Sequence, residues 1–262
     1  MILNTSVRSN RIWLVALAGL ASVLCFCAHN PGEPAATPPA LRAALPTSEA
    51  LTPVSYLLGQ FDPASHSDFV AVGRPYSDRP DMRMRKEAFA AFQKMYEAAK
   101  AEGVTLRIIS STRSFSQQKA IWEGKWERFA AQTPDPRVRA LRILEYSSMP
   151  GTSRHHWGTD IDLNDLNDAA FVGKGAHRAA YEWLSRKAGE FGFCQPYSAG
   201  RPTGYQEEKW HWSYMPLASR FLSDYERQIG ADQIRGFRGD SLAAPLDVVK
   251  RYVAGISPKC HR

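Results

Sequence analysis

The sequence predicts an α+β fold for this chain of 262 residues. Helical and strand patterns follow one another without the regular strand–helix–strand rhythm that is typical of a parallel sheet. Residues 81–101 repeat apolar side chains at three- and four-residue steps, whereas residues 104–110 alternate apolar with polar ones. The chain length and the 44% share of hydrophobic residues suit one globular domain with appendages.

The predicted elements follow in chain order. Gly103 ends the first helix, and Leu106 and Ile108 are inward positions of the strand after it. The other predicted helices cover residues 117–129, 137–146, 178–191 and 217–228. The other predicted strands are short and cover residues 159–163 and 210–214.

The first segment, residues 1–28, is typical of an export signal. Arg8 and Arg11 precede an apolar run, and no acidic residue occurs before Glu33. Because positive charges stay on the cytoplasmic side, we expect the rest of the chain in the periplasm or cell envelope. The small residues near the end of the run favour a signal cleaved near Cys27 or Ala28. An uncleaved membrane anchor and lipidation at Cys27 are the alternatives, although Phe26 is bulky for a lipoprotein signal.

The rest of the chain divides by composition. Residues 29–55 are rich in Pro, Ala and Thr and are predicted to be a linker. The working domain is expected over residues 56–230, followed by a C-terminal extension over residues 231–262. Cys194 and Cys260 form an even pair in an oxidising compartment, which suggests a disulfide between the tail and the core, although two unrelated thiols are the alternative.

The chain has a net charge of +7, but its Lys and Arg residues form no compact cluster interleaved with aromatic residues. We therefore expect no nucleic-acid partner. We expect a monomer that contacts a membrane only through the N-terminal segment, if that segment is uncleaved or lipidated.

Two motifs carry residues suited to metal chemistry. His155 and Asp162 lie in the first motif, and Glu208 and His211 lie in the second. Imidazole nitrogen and carboxylate oxygen are ligands that zinc favours, and three protein ligands plus a water make a catalytic site. Zinc lowers the pKa of its water to about 7. Glu208, three residues before His211, is placed to accept the water proton and pass it to the leaving amine.

These motifs resemble those of the zinc D-alanyl-D-alanine carboxypeptidases of the VanY type, within the lysostaphin, D-Ala-D-Ala peptidase and Sonic hedgehog group. The family pattern Ser-x-His-x6-Asp, an upstream Arg-Ser-x-x-x-Gln and a later Glu-x-x-His with Trp before the His all occur in the family order. The matching residues are Arg113, Gln118, Ser153, His155, Asp162, Glu208, Trp210 and His211. The resemblance covers roughly residues 56–225.

The resemblance implies a central antiparallel sheet that lines a zinc cleft. His155, Asp162 and His211 would hold one zinc ion per chain, with Glu208 as general base. The substrate would be a peptidoglycan stem peptide. Arg113 would receive its terminal carboxylate, Ser153 and Gln118 would hydrogen-bond the peptide, and Trp210 would support the metal site.

Asp160 departs from the family, which usually has a small apolar residue at this position. In an extended strand, Asp160 and Asp162 project from the same face. Asp160 is therefore either an outer-shell group that pairs with Arg154 or His156, or a determinant of specificity. The spacing of the second motif sets a further condition, since Glu208 and His211 can share a cleft only if Glu208 precedes the strand or a bulge intervenes.

Three functions remain as alternatives. The first is a carboxypeptidase with D,D or L,D specificity, which Arg113 favours because an internal bond offers no carboxylate. The second is an endopeptidase of the same fold. The third is a wall-binding module with non-hydrolytic zinc, against which the presence of Glu208 argues. Arg113 could also be a structural ion-pair partner.

Overall fold

The structure is a computed structural model that describes residues 50–261. The predicted signal and most of the predicted linker lie outside these described residues. Within this range the α-helices are α1 Val54–Leu57, α2 Lys86–Ala101, α3 Phe115–Phe129, α4 Pro136–Ile143, α5 Ala176–Lys187 and α6 Met215–Gln228. Six strands are β1 Phe69–Ala71, β2 Arg83–Arg85, β3 Ile108–Ser110, β4 Asp160–Leu163, β5 Phe193–Cys194 and β6 His211–Tyr214.

The central element is a four-stranded antiparallel sheet in the order β3-β4-β6-β5. The mixed helix and sheet class predicted from the sequence is confirmed. Strands β4 and β6 pair with Asp162 opposite His211 and Asp160 opposite Ser213. This register places residues from two distant motifs side by side.

Side-chain alternation gives the paired strands β4 and β6 two different faces. Ile161, Leu163 and Trp212 join an apolar cluster with residues of α2 and α5. Asp160 and Asp162 alternate with these residues along β4, and they are buried beside His211 instead. A fully hydrophobic face therefore anchors the strands whose other face carries ionisable groups.

Local capping fixes the helices next to the site. Ser114 precedes α3, where its Oγ accepts from the Gln117 amide at 3.3 Å and the Gln117 Oε1 accepts from the Ser114 amide at 2.8 Å. This capping box starts the helix two residues before the predicted boundary. Asp135 caps α4 and Pro136 occupies its first turn.

Other boundaries differ from the sequence prediction for non-local reasons. Residues 83–85 were predicted as helix, but they pair with Phe69–Ala71 as an antiparallel hairpin. The helix predicted over residues 178–191 ends at Lys187 and continues as a 3-10 turn to Phe191.

The structure also extends the ordered part of the chain at both ends. The amide and hydroxyl of Thr52 donate to Asp224 Oδ2 at 3.0 and 2.7 Å, so part of the predicted linker packs on α6. The predicted C-terminal extension contributes Phe237, Leu246 and Val253 to the apolar core. Within the described residues, no helix combines the length and apolar character needed to cross a membrane.

A disulfide joins the C-terminal tail to the sheet. Cys194 on β5 and Cys260 are bonded, with their Cα atoms 5.6 Å apart. Cys194 lies opposite Ser213 of β6 in the sheet register. The cross-link therefore ties the tail to the strand next to the one that carries His211.

Candidate metal centre

His155 lies on a buried 3-10 turn, Arg154–Trp157, that ends at Gly158 with φ of 75°. Its Nδ1 is 2.7 Å from the Ser111 carbonyl, which can only accept, so Nδ1 carries the proton. The other ring nitrogen, Nε2, therefore presents a lone pair. It is buried without a hydrogen-bond partner in the part of the chain that the structure describes, and it lies 3.3 Å from Asp162 Oδ2.

His211 faces Asp162 with its Nδ1, whereas His155 faces Asp162 with its Nε2. The Nε2 of His211 donates to Asp160 Oδ2 at 2.8 Å, and its Nδ1 lies 3.0 Å from Asp162 Oδ1. The His155 and His211 rings are nearly perpendicular, with their centroids 4.8 Å apart. Asp162 thus lies between two imidazole nitrogens, one from each motif.

Asp160 is fully buried and holds an outer position. Its carboxylate accepts from Arg154 Nε at 3.0 Å and from the hydroxyls of Thr159 and Ser213, each at 2.8 Å, besides His211. Burial alone would raise the pKa of Asp160, but Arg154 and His211 lower it below its usual range. Asp160 is therefore an ionised carboxylate with a complete set of donors.

Of the two partners considered from the sequence, Arg154 contacts Asp160 and His156 does not. His156 is buried, donates from Nδ1 to the Arg113 carbonyl at 2.7 Å and accepts from the Gly151 amide at 3.1 Å through Nε2. Both ring nitrogens are thereby engaged in a neutral imidazole. His156 ties two loops together and offers no free nitrogen to a metal.

His155, Asp162 and His211 fit a metal ion by their donor atoms. One ligand atom from each lies within 4.8 Å of the others, and all three residues are buried. Two imidazole nitrogens and one carboxylate oxygen match the ligand preference of zinc and leave a position open. The unsatisfied His155 Nε2 is the observation that favours a bound cation, since a buried nitrogen without a partner is costly.

Without a metal, the neighbouring carboxylates keep His211 protonated. Burial lowers the pKa of His211, but the hydrogen bonds and charges of Asp160 and Asp162 outweigh it and raise the pKa to about 9. A cation would therefore replace the proton on Nδ1.

Glu208 precedes β6 and so satisfies the geometric condition set by the sequence. Its amide donates to the Tyr197 carbonyl at 2.9 Å, and its Oε2 lies 3.6 Å from His211 Nδ1. Burial is the main reason that the pKa of Glu208 rises to about 8; His211 opposes this shift. The carboxyl group is thus next to the metal position and poised to exchange a proton near neutral pH.

The centre opens into a cavity of about 270 Å³. Seven residues predicted from the sequence line it: Arg113, Ser153, His155, Asp162, Glu208, Trp210 and His211. Gln118 does not line it, because its side chain is buried and donates to the Ser148 carbonyl at 2.8 Å. Its Oε1 is buried without a hydrogen-bond partner in the described residues. Gln118 therefore supports Ser148, which does line the cavity, and its hydrogen bond to the peptide stays a prediction.

Sequence reasoning missed Lys125, Tyr146, Tyr197 and Tyr205, which also line the cavity. Lys125 follows Ile121, another lining residue, by four positions on one face of α3, and no pattern in the sequence marks that face as part of the cavity. The tyrosines lie on irregular loops whose course has no periodic signal. Tyr197 packs its ring 4.6 Å from that of His211.

Backbone hydrogen bonds fix the position of Arg113, and its side chain lines the cavity. Its amide donates to the His155 carbonyl at 3.1 Å, and its own carbonyl accepts from His156. Within residues 50–261, the buried Nε has no hydrogen-bond partner and no carboxylate lies within 4.0 Å of the guanidinium. Ser153 Oγ is also buried without a partner in this described range. The structure gives no support for a structural ion pair at Arg113.

Comparison with known proteins adds a family match. The family model described as VanY, D-alanyl-D-alanine carboxypeptidase, matches residues 81–217. A D-alanyl-D-alanine carboxypeptidase of Enterococcus faecalis (strain ATCC 700802 / V583) is 27% identical over 130 residues, which are 48% of this chain and 46% of the relative. The Bacillus subtilis (strain 168) protein YodJ is 29% identical over 149 residues, 54% of this chain and 50% of the relative. The chain spans about half the length of these curated relatives.

Solved structures give weaker likenesses. A variant of the vancomycin-resistance D,D-pentapeptidase VanY in complex with Zn(II) has a TM-score of 0.46 at 22% identity, covering 60% of this chain and 89% of that one. The LD-carboxypeptidase LdcB has a TM-score of 0.48 at 22% identity, covering 76% of this chain and 81% of that one.

Proposed function

This chain belongs to the VanY family of D-alanyl-D-alanine carboxypeptidases, and from that premise we propose that it is a zinc-dependent carboxypeptidase that removes a terminal D-alanine from peptidoglycan stem peptides. The single observation that carries the proposal is the convergence of His155 Nε2, Asp162 and His211 Nδ1 beside the carboxyl group of Glu208. A binding module has no need of a buried proton acceptor at that place.

His155, Asp162 and His211 would hold the zinc ion. When bound, zinc supplies a Lewis acid that lowers the pKa of a water to about 7 and polarises the peptide carbonyl. Glu208 accepts the proton of the attacking water and returns it to the amine that leaves as the C–N bond breaks. The nearby cation favours the ionised form of Glu208, which the first of these transfers requires.

Arg113 and Ser153 would hold the substrate. The guanidinium of Arg113 offers a planar fork to the terminal carboxylate, and its unpaired Nε supports that role. The free hydroxyl of Ser153 is available to a peptide carbonyl or amide. Tyr146 and Trp210, with ring centroids 6.2 Å apart, form an aromatic wall of the cavity.

We place the working domain outside the cytoplasm. The positive, apolar N-terminal segment and the disulfide between Cys194 and Cys260 support this location, because disulfides persist in oxidising compartments.

The proposal is tested on purified protein with defined peptides. Metal analysis should find one zinc per chain. Mass spectrometry of a stem pentapeptide and a stem tetrapeptide after incubation should find loss of one D-alanine, and the peptide that reacts decides between D,D and L,D cleavage. A protein without stoichiometric zinc, or one that leaves both peptides intact, contradicts the proposal.

One observation favours endopeptidase activity as a second candidate. A neighbouring cavity of about 430 Å³ is lined in part by Arg113, Ile121 and Leu166, which also line the cavity at the metal centre, so a second space adjoins Arg113. An endopeptidase would place the residues after the cleaved bond there. A C-terminally amidated stem peptide that is cleaved as fast as the free acid would make this candidate the preferred one.

A further inference from the structure

Lys125 lies in the wall of the metal cavity on α3. It follows Ile121, another lining residue, by four positions, so both project from the same side of the helix. Lys125 is half-buried, and within residues 50–261 no carboxylate lies within 4.0 Å of its ammonium group. Lys125 thus resembles Arg113 in being a cation that faces the cavity without an ion-pair partner.

The positive charge of Lys125 is only partly compensated by its surroundings. Burial lowers the pKa of Lys125, Glu208 partly opposes this shift, and Arg113 and Arg128 add to it. A half-buried ammonium with two like charges nearby is unfavourable unless another anion pairs with it.

The charges of the cavity point to such an anion in the substrate. With a divalent metal bound, the positive charges are the metal, Arg113 and Lys125, and the negative ones are Asp162 and Glu208. Two positive charges therefore remain. A terminal carboxylate on Arg113 compensates one of them, and a second carboxylate would compensate the other.

The position of Lys125 along α3 limits where the second carboxylate can be. Arg113 lies just before the start of the helix at Phe115, and Lys125 is ten residues beyond Phe115, so their backbones are about 15 Å apart along the axis. Their charged groups are closer than this, because both side chains line one cavity and the charge of Arg113 lowers the pKa of Lys125. An extended peptide advances about 3.3–3.6 Å per residue. The second carboxylate thus belongs to one of about the last four residues of the peptide.

Resting on the proposed function, we propose that Lys125 binds a second carboxylate of the stem peptide and makes the enzyme selective for stems that carry one. Two groups of a stem peptide have this chemistry. One is the side-chain carboxylate of a diaminopimelate in the third position, which lysine lacks. The other is the α-carboxylate of a γ-linked glutamate in the second position, which amidation removes.

A rival explanation is that Lys125 acts on Glu208 and not on the substrate. In that case, removal of the charge would change turnover of every peptide by the same factor and shift the acidic limb of the pH profile. Selectivity between peptides separates the two explanations, because only direct binding depends on the second carboxylate.

The experiment compares four stem peptides that combine diaminopimelate or lysine with a free or amidated glutamate. The zinc-loaded wild type should have a kcat/KM about tenfold higher for the peptides with the recognised carboxylate. Lys125→Gln should bring this ratio close to one, Lys125→Glu should reverse it, and Lys125→Arg should largely restore it. Arg128→Gln, an exposed change on the same helix, should leave the ratio as in the wild type.

A second measurement tests the inference even if the protein shows no turnover. It determines the dissociation constants of the same peptides on zinc-loaded Glu208→Gln protein, with and without Lys125→Gln. If the wild type cleaves no peptide but its binding preference depends on Lys125, the proposed function is overturned and this inference stands. Equal kcat/KM and equal affinity for all four peptides would overturn the inference and leave the proposed function intact. A uniform loss in Lys125→Gln would favour the rival.

Discussion

Nε2 of His211 donates to Oδ2 of Asp160 across 2.8 Å, and this bond fixes which ring nitrogen faces the metal position. Asp160 also forms a buried ion pair with Arg154, so this ion pair lies next to His211, a proposed metal ligand. A carboxylate behind a ligating histidine orients the ring and raises its basicity. The aspartate that departs from the family pattern thus has a defined place in the centre.

Asp160→Asn should weaken zinc binding by about 10- to 100-fold, because the amide is a poorer acceptor for the His211 N–H. It should also cost about 3–5 kcal/mol of unfolding free energy, since Arg154 stays buried without its partner. Competition with a chelator measures the first effect and denaturant unfolding the second. Glu97→Gln, which removes a carboxylate from an exposed pair with Lys100, is the control and should change neither. Unaltered zinc affinity in Asp160→Asn would refute the orienting role.

Glu208→Gln should separate metal binding from chemistry. The amide keeps the size of the side chain but accepts no proton, so turnover of a stem peptide should fall by a factor on the order of 10² or more. Zinc content should stay at one per chain because Glu208 is not among the three proposed ligands. Metal analysis beside the kinetic assay checks both points, and loss of zinc would mean that Glu208 is a ligand.

Arg113→Ala should lower kcat/KM for a free stem peptide by roughly tenfold to a few hundredfold with zinc content unchanged, since charge-assisted bonds to the substrate carboxylate contribute about 1.5–3 kcal/mol. Amidation of that carboxylate should harm the wild type to a similar extent and the variant much less. If amidation lowers kcat/KM of the variant as much as that of the wild type, a residue other than Arg113 binds the terminal carboxylate.

His156 should make the protein sensitive to acid. Burial is the main cause that lowers the pKa of His156 from 6.5 to about 3, so the unfolded chain takes up this proton first as the pH falls. Its contribution to stability is therefore complete above pH 6.5 and is lost at about 1.4 kcal/mol per pH unit below it.

Because glutamine does not titrate, the stability deficit of His156→Gln relative to wild type should shrink between pH 6.5 and 4.5. Denaturant unfolding of the metal-free proteins at several pH values measures this difference. A deficit that stays constant over the range would show that His156 does not remain neutral in the folded state.

The sequence was most informative where chemistry depends on residue type and short spacing. His155, Asp162, Glu208 and His211 could be selected because two motifs carry them in a recognisable pattern, and the structure brings them together. Asp160 could be placed on the face of Asp162 from strand alternation alone. The sequence could not show that Asp160 pairs with Arg154 and not with His156, because that depends on how a 3-10 turn folds against β6.

Non-local contacts explain the errors. Arg83–Arg85 has a helical pattern locally but pairs with Phe69–Ala71, which no local signal indicates. Gln118 donates to the backbone carbonyl of Ser148, a contact that no local pattern in the sequence indicates. Lys125 and the tyrosines of the cavity were overlooked because their proximity depends on the packing of loops around α3 and β6.

The bond between Cys194 and Cys260 closes a covalent ring around part of the metal centre. Their sequence separation of 66 residues encloses Glu208 and His211, whereas His155 and Asp162 lie outside the ring. In the chain-entropy description, a loop of this length removes about 4 kcal/mol of freedom from the unfolded state. Oxidation therefore lowers the conformational entropy that the segment carrying Glu208 and His211 loses when it folds. A chain kept in a reducing cytoplasm would lack this help, and oxidation of the thiols would increase the share of folded chains, the form in which the three proposed ligand residues lie together.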